Sequence, residues 1–215
     1  MALKLFFLPP EIRALAFDMD LTLYSCPEYG KYQITSLVEK LGKVRGLSYE
    51  EMNREVEVKN KEWALSHGGK KPSLSNILIG YGISMEENIR WRDEVYKPEL
   101  YIKEDKRLKE TLEALSKSYV LGIVTNNSVP IARRTLATLG VERLFSVLVG
   151  LNTCMIAKPH VRPFQAFSEL SGCAPETCVS IGDRYDIDLD IPLHMGMGGI
   201  LVEGVEDVYE LPAVL

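Results

Sequence analysis

Five short apolar runs punctuate the chain, and each ends on a polar residue or a glycine. Ala14–Phe17 stops at Asp18, Val120–Val124 at Thr125, Phe145–Val149 at Gly150 and Cys178–Ile181 at Gly182-Asp183; Ile200–Val202 closes the series. The runs are continuous rather than alternating and rich in β-branched residues, the pattern of strands covered on both faces. Helical periodicity fills the gaps. Leu108, Leu112 and Leu115 share one face of a helix leading into the second run. Ser128–Leu139 reads as a helix behind an Asn/Ser cap with Gly140 as its stop, and Pro163–Leu170 as another with proline in its first turn. Strands alternating with helices predict an α/β domain built on a Rossmann-like parallel sheet.

The stretch from 26 to 98 breaks that rhythm. It holds no strand pattern, only helical pieces at Gln33–Leu41, Tyr49–His67, Ser75–Gly80 and Met85–Tyr96. Ser48 with Glu51 and Ser84 with Glu87 have capping-box spacing, and Cys26-Pro27 reads as a turn. The expected organisation is an α/β core from residues 1–25 and 99–215, interrupted by an α-helical cap at 26–98. Gly196, Gly198 and Gly199 lack GxGxxG spacing before a helix and read as a turn into the last strand.

Composition narrows the function. The 215 residues are 46% hydrophobic and 26% charged, ordinary for a globular protein with a full core. A net charge of -5 argues against a nucleic-acid partner, and the Lys70-Lys71 and Arg133-Arg134 pairs are short enough to be solvated surface. No apolar run reaches membrane-spanning length. The apolar start, Met1 to Leu8, ends at Pro9-Pro10 without a charged leader or cleavage site, so neither an anchor nor a signal peptide is expected. Cys26, Cys154, Cys173 and Cys178 form no CxxC pair, and His67, His160 and His194 are scattered. Zinc and redox chemistry are disfavoured, and reduced thiols in a cytoplasmic protein are expected.

The chemistry lies at the strand ends. The first run delivers Asp18-Met19-Asp20-Leu21-Thr22 and the second Thr125-Asn126-Asn127. Lys158-Pro159 follows the third, and the fourth delivers Gly182-Asp183-Arg184-Tyr185-Asp186-Ile187-Asp188. Ligands of open parallel sheets bind beyond the carboxyl ends of the strands, so all four clusters should converge. Asp18, Asp20, Asp183 and Asp188 in one crevice repel one another strongly. A hard divalent cation with oxygen ligands is the simplest way to hold them, and Mg²⁺ suits a few carboxylates plus a substrate phosphate. Lys158 with the groups of Thr125 and Asn126 adds positive charge and donors around a carboxylate nucleophile, which suits phosphoryl transfer.

In these four clusters the chain resembles the haloacid dehalogenase superfamily of aspartate-nucleophile phosphohydrolases. Asp18-Met19-Asp20-Leu21-Thr22 is similar to its DxDxT motif, Thr125-Asn126 to the Ser/Thr-Asn motif, Lys158-Pro159 to the lysine motif and Gly182-Asp183 through Asp188 to the GDxxxxD motif. The resemblance covers nearly the whole chain and implies roles. Asp18 attacks phosphorus and carries an aspartyl-phosphate, while Asp20 protonates the leaving oxygen and then activates water. Thr125 binds the transferring phosphoryl group, with Thr22, Asn126 and Arg184 as further phosphate- or substrate-binding residues. Lys158 offsets the charge of Asp18. Asp18, Asp183 and the main-chain carbonyl of Asp20 hold Mg²⁺, and Asp188 holds Lys158 or an outer-shell water. Between Asp186 and Asp188 the division of labour stays open.

Within that superfamily the dehalogenases lack the second aspartate, because a halide leaves without a proton and an alkoxide does not. The presence of Asp20 favours phosphate-ester chemistry. The insertion is similar to the helical caps called C1, which implies a small phosphorylated metabolite as substrate and a nucleotidase-like, sugar-phosphate or phosphoglycolate phosphatase. The flap Tyr24 to Tyr29 should border the site. His67, Lys70, Lys71, Tyr81, Arg90 and Arg92 are cap candidates for substrate contact, each more readily explained as surface or packing. Trp63 and Trp91 read as packing residues, and Asp190 as surface or a helix cap. Arg184 and Tyr185 are placed to line the entrance. Two alternatives stay open, a phosphomutase on the same scaffold and a phosphate-binding regulatory module without turnover. The expected assembly is a monomer or a homodimer.

Overall fold

The computed structural model describes residues 3–66, 68–69 and 72–215. These divide into two compact units, one from Met1–Cys26 with Pro98–Leu215 and one from Pro27–Lys97.

The first unit is built on a six-stranded sheet: β1 (Lys4–Phe7), β2 (Ala14–Phe17), β3 (Val120–Val124), β4 (Val147–Val149), β5 (Cys178–Gly182) and β6 (Gly198–Leu201), in the order β1-β6-β5-β2-β3-β4. All neighbours run parallel except β1, which is antiparallel to β6. The chain steps outward from β2 to β3 and β4, then returns to the other side of β2 for β5. This makes the carboxyl end of β2 the topological switch point, where a crevice opens. Asp18 follows that strand directly.

Burial explains why these runs became strands. Ala14, Leu15, Ala16 and Phe17 are all at most 1% exposed. On one face, Ala14 and Ala16 pack with Val124, Val149, Cys178, Phe164 and Phe167. The two phenylalanines come from a helix at Val161–Ser171 that lies on β3 and β4. Gly122 in β3 permits this fit, since a Cβ there would stand 2.6 Å from the Phe167 ring. On the opposite face Phe17 meets Phe145 edge-on at 6.1 Å.

The edges of the sheet depart from expectation. The strand expected at Phe145–Val149 begins only at Val147, because Phe145 closes a 3-10 turn by donating its N–H to Glu142. The last strand starts earlier than expected, so Gly198 and Gly199 are strand residues and only Gly196 (φ 86°) makes the turn. A Cβ on Gly198 would meet Pro9 at 2.8 Å and Val179 at 2.9 Å, so the tight flank of β6 requires glycine there. β1 is a strand that the sequence pattern did not reveal. All four of its residues are exposed, so it carries neither the alternation nor the burial signature of the others.

Helices follow in chain order: α1 (Pro27–Arg45), α2 (Tyr49–Ser66), α3 (Leu74–Gly80), α4 (Met85–Val95), α5 (Lys106–Leu115), α6 (Val129–Leu139), α7 (Leu151–Cys154), α8 (Val161–Ser171), α9 (Asp190–His194) and α10 (Val205–Val208). The caps follow side-chain chemistry. Ser128 accepts from Ile131 N–H at the start of α6, and Gly140, at φ 78°, ends it. His160 caps α8 by accepting from Arg162 N–H.

The second unit consists of α1 to α4, packed around buried Tyr29, Leu37, Leu41, Met52, Trp91 and Tyr96. α1 starts six residues before its expected first turn. Cys26-Pro27 is therefore a helix start rather than a turn, with proline at the first helical position and Glu28 beside the positive end of the dipole. The Ser48–Glu51 capping box is complete, with Ser48 N–H donating to Glu51 and Glu51 N–H to Ser48 Oγ. At Ser84 only half forms, because the Glu87 carboxylate accepts from Arg90 instead. Among the described residues no helix is long and apolar enough to cross a membrane, and the four cysteines are not joined in disulfides.

Candidate active site

The site is built wholly within the α/β unit, from the loops that leave β2, β3 and β5 and from the segment holding Lys158. Asp18 leaves β2 with its N–H donated to Ile181 in β5, so the sheet register sets its position. The chain then turns sharply. Leu21 sits at φ 60°, and Thr22 and Leu23 N–H both return to the Met19 carbonyl.

Lys158 lies at the centre of the cluster. Its ammonium, 2% exposed, donates to Asp18 Oδ1 at 2.7 Å, Asp188 Oδ1 at 2.7 Å and the Val124 carbonyl at 2.6 Å, which uses its three protons. The main chain of Lys158 is held as firmly. Asn126 Oδ1 accepts from Lys158 N–H at 2.6 Å, and Asn126 Nδ2 donates to its carbonyl at 3.0 Å. The Asn126 side-chain amide thus holds the lysine segment in place.

The aspartates of the β5 loop divide their tasks. Asp188 bonds Lys158 with one oxygen and accepts from Arg184 N–H with the other, at 3.1 Å. Ser180 Oγ anchors the Asp188 carbonyl at 2.7 Å, and a π-helical turn at Tyr185–Leu189 swings the carboxylate back to the strand. Gly182 leaves room for it, since a Cβ there would lie 2.5 Å from Asp188 Cβ. Asp186 is half-buried and pairs with Arg184 at 2.9 Å. That pair engages one nitrogen of the Arg184 guanidinium, whose side chain is 40% exposed. The Thr22 side chain is fully buried beside the turn at Leu21.

Asp18, Asp183 and Asp188 bring carboxylate oxygens within 4.8 Å of one another. Three carboxylates face one ammonium, and the electrostatics register the excess. Burial, then Asp18 and Asp188, push the Asp183 carboxyl up to about 7. Burial with added repulsion from Asp18 raises Asp188 to about 6 despite the pull of Lys158. Asp18 is raised in the same sense, chiefly by burial. Burial alone would depress Lys158, but Asp18 and Asp188 together hold it above the usual lysine range. An all-oxygen set with this surplus of negative charge fits a hard divalent cation such as Mg²⁺. The Asp20 carboxylate is not a member of this triad. Its oxygens accept from Tyr24 Oη and, at 2.7 Å, from Asn127 Nδ2.

Thr125 is 4% exposed, and its Oγ1 accepts Asn127 N–H at 3.1 Å, which orients its own hydroxyl proton elsewhere. Asn127 and Tyr24 carry no individual signal in the sequence, although both lie within expected site segments. Asn127 is the third residue of the Thr125 cluster, and Tyr24 opens the flap after the nucleophile.

In the helical unit, Arg92 is 5% exposed and donates to Asn88 Oδ1 at 2.9 Å and Ser75 Oγ at 3.0 Å, so it is a packing residue. Arg90 pairs with Glu87 and Glu94, and Tyr81 lies beneath Lys59 and Arg45. His67, Lys70 and Lys71 lie outside the described residues. Trp91 is buried, as a packing residue should be.

The family model for haloacid dehalogenase-like hydrolases matches residues 15–202. Among curated proteins, the chain is similar to glyceraldehyde 3-phosphate phosphatase of Methanothermobacter thermautotrophicus, 30% identical over 42% of this chain and 40% of that protein. It is also similar to phosphoglycolate phosphatase of Escherichia coli K12, 38% identical over 36% of this chain and 32% of that one. The matches therefore span well under half the length of these relatives. Likeness to solved structures extends further at lower identity. A subfamily IA hydrolase from Geobacter sulfurreducens aligns over 95% of this chain and 100% of its own, with TM-score 0.62 and 18% identity. A hydrolase from Bacillus subtilis bound to magnesium aligns over 94% and 99%, with TM-score 0.58 and 18% identity. These two likenesses establish the fold.

Proposed function

The chain belongs to the haloacid dehalogenase-like hydrolase family, and from that premise we propose that it is a Mg²⁺-dependent phosphomonoesterase acting on a small phosphorylated metabolite in the cytoplasm. The observation that carries the reading is Asp18. It stands at the switch point of the sheet, bonded to Lys158 and grouped with Asp183 and Asp188. A nucleophilic carboxylate needs a cationic neighbour to tolerate the approach of a phosphate dianion, and Lys158 meets that need.

In the first step an Asp18 oxygen forms a bond to phosphorus as the bond to the ester oxygen breaks. The departing oxygen takes the Asp20 proton, releasing an alcohol and leaving an aspartyl-phosphate. In the second step Asp20 takes a proton from water while the water oxygen attacks phosphorus. The bond to Asp18 breaks, inorganic phosphate leaves, and Asp20 is again the acid. Thr125 donates its hydroxyl to a phosphoryl oxygen, and Lys158 stays bonded to Asp18 throughout. Asp18 and Asp183, with the Asp20 main-chain carbonyl, would hold the cation, which supplies positive charge to the phosphoryl oxygens. The helical unit would act as the cap that reads the leaving group. The names of the curated relatives direct the search to phosphoglycolate and triose phosphates.

The test is inorganic phosphate release from a panel of phosphorylated metabolites with Mg²⁺, beside Asp18→Asn. Release concentrated on one substrate class and lost by several orders of magnitude in the variant is expected. Release that survives in Asp18→Asn would remove the mechanism.

A further inference from the structure

The Asp20 carboxyl is gripped at both oxygens by residues to which the catalytic reading assigns no task. Asn127 Nδ2 donates to Oδ2 at 2.7 Å, and Tyr24 Oη bonds Oδ1. Both partners are themselves immobilised. Asn127 is 3% exposed, its N–H donates to Thr125 Oγ1 at 3.1 Å, and its carbonyl accepts from Leu151 N–H at 2.8 Å. Gly150 allows the loop to approach so closely, for a Cβ there would stand 2.8 Å from the Asn127 carbonyl oxygen. Tyr24 is 7% exposed, and the tight turn through Leu21 folds it back so that its residue forms an isolated β-bridge with Asp20.

The two partners differ in what they can do. An amide nitrogen only donates, whereas a phenol donates or accepts. Oδ2 therefore faces a donor in every protonation state and is a poor place for a proton. Oδ1 faces a phenol that donates to the carboxylate and, when Asp20 is the acid, takes up the hydrogen bond of the Oδ1 proton until the departing ester oxygen replaces it as acceptor. We propose that Asn127 and Tyr24 are positioning residues that fix the rotamer of Asp20 and reserve Oδ1 as the atom that gives up and takes back the proton. Asn127 excludes the wrong oxygen, and Tyr24 supports the right one in both states. The inference rests on the phosphomonoesterase reading above.

General acid catalysis contributes roughly 10²–10⁴-fold where the leaving group is a poor one, and little where the departing oxygen is already stable as an anion. A positioning role therefore predicts a dependence on leaving group that a merely structural role would not produce. The experiment measures kcat/KM, which reports the step that breaks the ester bond, for an alkyl phosphate and for 2,4-dinitrophenyl phosphate with Mg²⁺. Tyr24→Phe and Asn127→Leu both remove the hydrogen bond, stay close in shape to the native residues and add no charge to the site. Each is expected to lose about 10–100-fold on the alkyl ester and less than about threefold on the dinitrophenyl ester. In an Asp20→Asn background the same substitutions should cost the alkyl ester nothing further, since the group they position is gone. Equal losses on both esters, or full additivity with Asp20→Asn, would overturn the proposal. A wild type that hydrolyses neither ester, or an Asp18→Asn variant that hydrolyses both, would instead overturn the phosphomonoesterase reading.

Discussion

Asp183→Asn should stabilise the metal-free protein at neutral and alkaline pH while abolishing its response to Mg²⁺. In the folded chain the Asp183 carboxyl titrates at about 7 in place of 3.8, chiefly because it is buried and faces Asp18 and Asp188. Between those two values the native state binds more protons than the unfolded one, so the contribution to stability falls as pH rises, by up to about 1.4 kcal/mol per pH unit. Integrated over the window, and discounted for partial solvent access, the raised Asp183 carboxyl costs roughly 2–4 kcal/mol at pH 8 and about 0.5 kcal/mol or less near pH 4. A neutral amide of the same shape removes that cost. Urea unfolding in EDTA at pH 4.5, 6, 7 and 8 measures it. Far-ultraviolet circular dichroism is the right signal, because Trp63 and Trp91 both lie in the helical unit. The variant should exceed wild type by about 1 kcal/mol or less at pH 4.5 and by the full amount at pH 8, where its midpoint should lie about 5–12 °C higher by thermal melt. Millimolar Mg²⁺ should raise the wild-type midpoint by binding only the folded state, and leave the variant unmoved. A stability difference that is absent at pH 8, or equal at all four pH values, would refute the electrostatic argument.

Three further perturbations probe the same cluster, and a fourth, in α1, serves as a contrast. Lys158→Met strands Asp18 and Asp188 as buried carboxylates without a counterion, at a cost of about 3–5 kcal/mol at pH 8. Both carboxyls are already raised, so the loss should shrink toward pH 5 as they protonate; a pH-independent loss in urea titrations would contradict this. Gly182→Ala drives a methyl into Asp188 at 2.5 Å and should lower stability by about 1–3 kcal/mol and phosphatase kcat by more than about tenfold. Gly30→Ala meets nothing within 4 Å inside α1 and should instead stabilise by about 0.5–1 kcal/mol, a contrast that one set of melts checks. Asn126→Ala removes both bonds to the Lys158 main chain and should reduce kcat/KM about equally on alkyl and dinitrophenyl esters, because Lys158 does not protonate the leaving group. A leaving-group dependence there would assign Asn126 to the Asp20 side of the site.

The alternation of buried runs with helices was readable because β2, β3 and β5 are covered on both faces and so must be continuously apolar. The polar residues at their ends were equally plain, since a charge cannot enter such a strand without a purpose. What local pattern determined, therefore, was the order of the elements, the interruption by helices and the roster of aspartates, lysine and threonine. Contacts distant in sequence decided the rest. β1 is a strand only because β6 offers it an edge, and its exposed residues carry no periodic signal. Asp188 rather than Asp186 meets Lys158 because a π-helical turn and the bare Cα of Gly182 direct it inward, a choice that spacing alone does not contain. Asn127 reaches Asp20 across 107 positions. Which side chain closes on which is set where strand ends converge, because a hydrogen bond depends on ångströms that only packing of the whole sheet defines.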